Sequence, residues 1–168
     1  LTEVNLGTAA EPVDADILLK GTAIYDGTGN PGRQGDVAIG GGKIVAVGEF
    51  AVGRVGREID CRGWVVAPGF IDLHNHSDRQ VVDPRTRSAI NYLMQGCTTV
   101  LTGNCGSGPG DAGAYYNKID AAGAGTNVAH LLPQGSLRNF VMATADRDPT
   151  ADELERMKQL AAKAMQDG

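Results

Sequence analysis

A chain of 168 residues with 42% hydrophobic residues and a formal charge of −5 is long enough for one compact core and part of a second. The mild acidity argues against a nucleic-acid groove or an anionic membrane surface, both of which want basic patches, and no apolar run is long enough to cross a bilayer. The three cysteines (Cys61, Cys97 and Cys105) are odd in number and widely spaced. They make no disulfide framework and favour a reducing, cytoplasmic setting; the alternative, since the chain starts at Leu1, is an exported protein whose signal peptide has been removed.

Residues 1–15 are polar and small and read as an N-terminal arm. Residues 16–63 read as a small antiparallel β unit. DILLKG, TAIYDG, GDVAIG, GKIVAVG and GREIDC are brief β-type runs, each bounded by glycine or aspartate. DGTGNPGRQGD (Asp26 to Asp36) is turn chemistry almost throughout, and Gly40-Gly41-Gly42 marks a tight turn. No cluster of histidine, cysteine or carboxylate falls in this region, which reads as scaffold.

From residue 64 the pattern becomes strand alternating with helix. Trp64 to His76, WVVAPGFIDLHNH, is apolar and β-branched and reads as a first buried strand. Asp83 as N-cap and Pro84 at the first helical position predict a helix carrying Ile90, Leu93 and Met94 on one face, closed by Gly96. Cys97 to Thr102 is the second strand. Asp111 to Ala122 forms a helix with Tyr115, Tyr116 and Ile119 on one side. Asn127 to Leu132 is the third strand, and Thr150 with Glu153 makes a capping box ahead of the last helix. Three successive βα units imply a parallel sheet covered by helices, in either a doubly wound sheet or part of a (β/α)8 barrel.

His74 and His76 close the first strand. Residues two apart on a strand share a face, so both imidazoles can reach one metal ion. Cys105 lies just past the end of the second strand, where a deprotonated thiol is a soft ligand. The structural alternatives are a pair of surface histidines and a small buried thiol. All three residues fall in loops after strands, on the same edge of the sheet. His130 lies within the third strand and reads as a hydrogen-bonded core histidine. Asp78 and Arg138 are near enough to the same edge to touch a substrate or a ligand's neighbour, although such charges are more often solvated or paired locally.

The block APGFIDLHNHSD followed by GCTTVLTGNCG resembles the N-terminal part of the amidohydrolase superfamily. The cysteine in GNCG is similar to that of its D-aminoacylase branch, the N-acyl-D-amino-acid deacylases. The resemblance runs from DILLKGTAIYDGTGNPGRQGDVAI through NVAHLLPQGSLR, most of the chain. It implies an α/β fold: residues 64–168 as the first three βα units of a metal-dependent (β/α)8 barrel, preceded by a small β-sandwich. It implies one or two zinc ions, with His74, His76 and Cys105 as metal ligands. It also implies a small-molecule N-acyl amino acid as substrate, with no nucleic acid or membrane partner. The bound ion would acidify a water and polarise the scissile amide, while a carboxylate moves the proton.

The family's remaining histidine ligands and its essential aspartate come from later strands, so the catalytic base is unassigned. The chain is expected to need the C-terminal part of the enzyme and to be inactive alone. Some relatives carry a histidine where this chain has Gln134, which is given no catalytic role. Two other readings stand beside this one. The first is a cyclic-amide hydrolase of the same superfamily, like dihydroorotase or hydantoinase. The second is a non-catalytic barrel scaffold subunit.

Overall fold

The computed structural model describes residues 11–168. Most of the expected N-terminal arm, residues 1–10, lies outside the described residues. The chain divides into two compact units, Leu1–Pro68 and Gly69–Gly168.

The first unit is a five-stranded sheet of β1 (Val13–Ile24), β2 (Arg33–Gly40), β3 (Lys43–Gly48), β4 (Val52–Asp60) and β5 (Val65–Val66). Its order is β3-β2-β1-β4, with β5 also on β1. The pairing corrects the expectation of an all-antiparallel unit. β1 pairs antiparallel with β2 but parallel with β4 and β5, so the unit is one mixed sheet. DILLKG and TAIYDG are one strand, not two. Gly21, at φ +70, sits in a bulge between Leu19 and Thr22, and the Asp36 carboxylate accepts its N–H at 2.7 Å. Gly41 and Gly42, both at positive φ, form the two-residue turn between β2 and β3. Leu18, Ala38, Ala46 and Ala15 are the buried core.

The second unit is a parallel sheet, β6 (Phe70–Asp72), β7 (Cys97–Thr102) and β8 (Asn127–His130), in that order. Its helices are α1 (Ile90–Leu93), α2 (Ala112–Ala122), α3 (Gln134–Met142) and α4 (Ala151–Asp167). The expected strand from Trp64 to His76 is split: Val65 and Val66 pair with β1, and only Phe70–Asp72 joins the parallel sheet. Pro68 interrupts the run, since it has no N–H to give a ladder. Gly69 packs so tightly on Thr98 that any Cβ there would overlap its side chain. Alternation along β7 buries Val100 and Thr102, and Val100 packs with Val81, Tyr115 and Ile119 of the covering layer.

The first crossover is mostly turns. Instead of capping a helix, the Asp83 carboxylate accepts the N–H of Arg85 at 2.9 Å and pairs with its guanidinium at 3.0 Å. Ala89 then turns left-handed at φ +49 and leaves α1 a single short turn. In contrast, Asp111 caps α2 by accepting from Ala114 N–H at 2.9 Å, and the Thr150–Glu153 capping box of α4 is complete. The sequence carries no start signal for α3. It begins after Pro133 with no side-chain cap, so nothing polar announces it. Among the described residues no helix is long and apolar enough to cross a membrane.

Candidate metal centre

In a parallel sheet the loops that follow the strands gather at one edge, and there the second unit assembles its polar side chains. β6 ends at Asp72, whose carboxylate accepts the His74 N–H at 3.1 Å. The chain bends off the ladder at Leu73 and His74, and past the bend exposed and buried residues alternate. His74 and His76 face outward and are exposed, while Asn75 and Ser77 turn inward and are 7% and 2% exposed. The inward pair is tied together, with the Asn75 Oδ1 accepting from Ser77 N at 3.1 Å and Ser77 Oγ at 2.5 Å. The two histidines thus share a side, as the sequence predicts, although they sit past the strand and not on it.

The loop after β7 is sharply turned. Gly103 (φ +81), Cys105 (φ +55) and Gly106 (φ +74) are all left-handed. A Cβ at Gly103 would overlap the Leu131 carbonyl oxygen. Asn104 between them is buried, and its Nδ2 donates to Leu101 O at 2.7 Å and to Asn75 O at 3.3 Å. The turn brings the Cys105 Sγ to 3.3 Å from His74 Nε2. One ligand atom from each of His74, His76 and Cys105 lies within 4.8 Å of the others. The imidazole rings have centroids 5.6 Å apart, edge to face.

The donor set fits zinc, which takes nitrogen and sulfur ligands tetrahedrally. Bonds of about 2.0 Å and about 2.3 Å at a tetrahedral angle set nitrogen and sulfur about 3.5 Å apart, close to the 3.3 Å found between His74 and Cys105. Beside the cluster a cleft of about 590 Å³ is lined by His76, Asp78, Arg79, Ser107, Gly108, Pro109 and Ser136. Arg79 is its cation, a residue to which sequence reasoning gave no place; an arginine next to His-x-His-Ser-Asp was the available signal.

The remaining candidates separate. His130 is a core residue, its side chain fully buried: Nε2 donates to Pro109 O at 2.9 Å, Nδ1 meets Thr102 Oγ1 at 2.8 Å, and the ring lies 4.7 Å from that of Tyr115. Arg138 closes the loop after α3 by donating to Ala145 O at 3.1 Å and Arg147 O at 2.6 Å, away from the cluster. Gln134 is the first residue of α3. Asp78 is buried, and its carboxylate accepts the Gly103 N–H at 2.8 Å. Tyr115 donates its hydroxyl to Asp78 O at 3.1 Å, and burial pushes that phenol above its ordinary pKa, so it stays a donor.

Comparison with known proteins shows the family. The model of the amidohydrolase family matches residues 57–167. D-aminoacylase of Alcaligenes xylosoxydans xylosoxydans is 34% identical over 176 residues, which take in 91% of this chain and 36% of that protein. The crystal structure of D-aminoacylase superposes with a TM-score of 0.84 at 35% identity, over 92% of this chain and 37% of that one. The N-acyl-D-glutamate deacylase of Bordetella bronchiseptica, solved with zinc and a phosphonate mimic of the tetrahedral intermediate, gives a TM-score of 0.83 at 32% identity, over 92% and 37%. The chain thus spans little more than a third of the length of these relatives.

Proposed function

The chain is a member of the amidohydrolase family, and on that premise we propose that it forms part of a zinc-dependent hydrolase that removes the acyl group from N-acyl-D-amino acids. The observation that carries the proposal is the convergence of His74, His76 and Cys105, whose ligand atoms lie within 4.8 Å of one another at the edge of a parallel sheet. In this reading the second unit supplies the first βα units of a (β/α)8 barrel, and the edge where its strands end is the active-site face.

His74 would hold the ion through Nε2, the nitrogen facing Cys105. His76 would supply a second imidazole, and Cys105 its sulfur. Bound zinc supplies Lewis acidity toward the scissile carbonyl and lowers the pKa of water to about 7. The chain's own contribution is to orient. Asp72 fixes the His74 backbone, the Asn75–Ser77 pair keeps both histidines on one side, and the left-handed turn aims the sulfur. Arg79, lining the cleft beside His76, offers a cation to a substrate carboxylate. None of the three ligands is a proton acceptor. A carboxylate elsewhere in the protein takes that role.

The relatives' names support the substrate class: D-aminoacylase, and an N-acyl-D-glutamate deacylase trapped with a tetrahedral mimic. The test is to purify the full-length protein, measure bound zinc by elemental analysis, and assay a panel of N-acetyl-D- and N-acetyl-L-amino acids. Deacylation confined to the D series, lost on chelation and restored by zinc, is expected. A metal-free protein, or one that opens cyclic amides and leaves the linear D substrates intact, overturns the reading.

A further inference from the structure

The left-handed loop after β7 and one buried carboxylate stand out as a unit. We propose that Asp78 is a positioning residue. Its carboxylate holds the Gly103 N–H and thereby fixes the turn that presents the Cys105 sulfur to His74 and His76. The inference rests on the metal-centre reading above.

Three segments of backbone meet at this side chain. Its own residue lies two positions after His76. Gly103, two positions before Cys105, donates to Asp78 Oδ1 at 2.8 Å, and both groups are buried. Gly108, at the far end of the same loop, passes so close that a Cβ there would come within 2.7 Å of Asp78 Oδ1. The Asp78 main chain is fixed from behind by the Tyr115 hydroxyl at 3.1 Å. The carboxylate side chain is only 11% exposed. It is also not an ion-pair partner at hydrogen-bond range: the nearest candidate, His130 Nδ1, is 4.0 Å away and occupied with Thr102 Oγ1.

A buried carboxyl group is costly unless it is hydrogen-bonded, and the Gly103 N–H gives Asp78 that bond. That bond spans the two loops that carry the ligands. Cys105 is a non-glycine residue at φ +55, a conformation that persists only where the surroundings over-determine it. Asp78 holds the turn at Gly103, and the Asn104 side chain, donating to Leu101 O and Asn75 O, holds the next residue, so that the backbone entering Cys105 is pinned at two successive positions. With the Asp78 acceptor gone, the Gly103 N–H is orphaned in a buried site and the turn has reason to relax, carrying the sulfur away from the imidazoles.

The test uses the full-length protein loaded with Co(II), whose thiolate-to-metal absorption in the near ultraviolet reports the Cys105 bond directly. In Asp78→Ala, Co(II) affinity is expected to fall about 10- to 100-fold, the range for groups that orient metal ligands, and the thiolate band to weaken. Asp78→Asn keeps an acceptor oxygen in place and is expected to restore both. Thermal unfolding of the metal-free variants runs alongside. If Asp78→Ala loses stability yet keeps the parental affinity and band, the residue is structural only and the proposal is overturned. It is equally overturned if Asp78→Asn falls as far as Asp78→Ala. Should Asp78→Ala not fold, Asp78→Glu, which displaces the carboxylate by one methylene, takes its place with the same expectation, and a parental band there is fatal. Cys105→Ala separates the two readings. A parent without a thiolate band, or a band that survives Cys105→Ala, defeats the metal centre and this inference with it; a band lost in Cys105→Ala but untouched by Asp78→Ala defeats this inference alone.

Discussion

Cys105 occupies a backbone conformation that suits glycine, at φ +55. For a residue with a Cβ this costs about 1–2 kcal/mol, and the turn brings the sulfur to 3.3 Å from His74 Nε2. Replacing Cys105 by glycine or by alanine removes the same ligand, but only glycine relieves the backbone. In the metal-free protein Cys105→Gly is therefore expected to be about 1 kcal/mol more stable than Cys105→Ala, while both lose zinc. Urea denaturation and elemental analysis of the two variants check this, and a less stable glycine variant would contradict the assigned turn. Gly103→Ala is the converse: at φ +81, with the Leu131 carbonyl in the way, it should destabilise by more than about 2 kcal/mol. At this scale the sequence was informative about which residues meet. The placing of His74, His76 and Cys105 at strand ends is legible from the apolar runs that precede them. What holds them was not. Asp78 and Asn104 act through hydrogen bonds between loops distant in sequence, and no spacing rule reports such pairs.

α4 is the helix whose start is written most clearly in the sequence. Thr150 Oγ1 accepts the Glu153 N–H at 3.3 Å, and the Glu153 carboxylate accepts the Thr150 N–H at 2.8 Å. Thr150→Ala is expected to cost about 1 kcal/mol of stability. The same carboxylate takes two bonds from Arg147, each 2.8 Å. The Arg147 guanidinium first, and the Thr150 N–H second, hold the Glu153 carboxyl down to about 2. Because the folded value lies below the unfolded one, Glu153 favours folding above its ordinary pKa of 4.5, and that contribution fades as pH falls from there toward about 2. The thermal midpoint of Glu153→Gln should therefore lie below the parent's at neutral pH and converge with it in acid; parallel curves at all pH values would refute this. Other elements were less legible for identifiable reasons. Gly21 reads as a strand boundary and is instead a bulge inside β1. Asp83-Pro84 has the letters of a helix start, but Arg85 claims the carboxylate. α3 follows Pro133 without a polar cap, so local chemistry did not mark it.

Across the whole molecule, the balance between what is buried and what is left open bears on activity. In the second unit the parallel sheet has β6 and β8 at its edges. Phe70, Ile71 and Leu73 around β6, Leu131 after β8, and Ile90 and Met94 in the first crossover are between 46% and 79% exposed. Edge strands with unpaired backbone and apolar side chains in water favour association. The metal cluster found among the described residues comprises two imidazoles and a thiol and includes no carboxylate, and Asp78, the nearby buried acid, is engaged with the Gly103 amide. A catalytic zinc site needs a positioned proton acceptor and a pocket that excludes water as well as ligands. Residues 1–168 produced alone are therefore expected to bind zinc weakly, to self-associate, and to leave N-acetyl-D-amino acids intact. Light scattering coupled to size-exclusion chromatography reads the association, and a ninhydrin assay with added zinc, run beside the full-length protein, reads the hydrolysis. Deacylation by the isolated 168 residues, abolished by Cys105→Ala, would place a complete catalytic site within them and require a proton acceptor among the groups to which structural roles are given above.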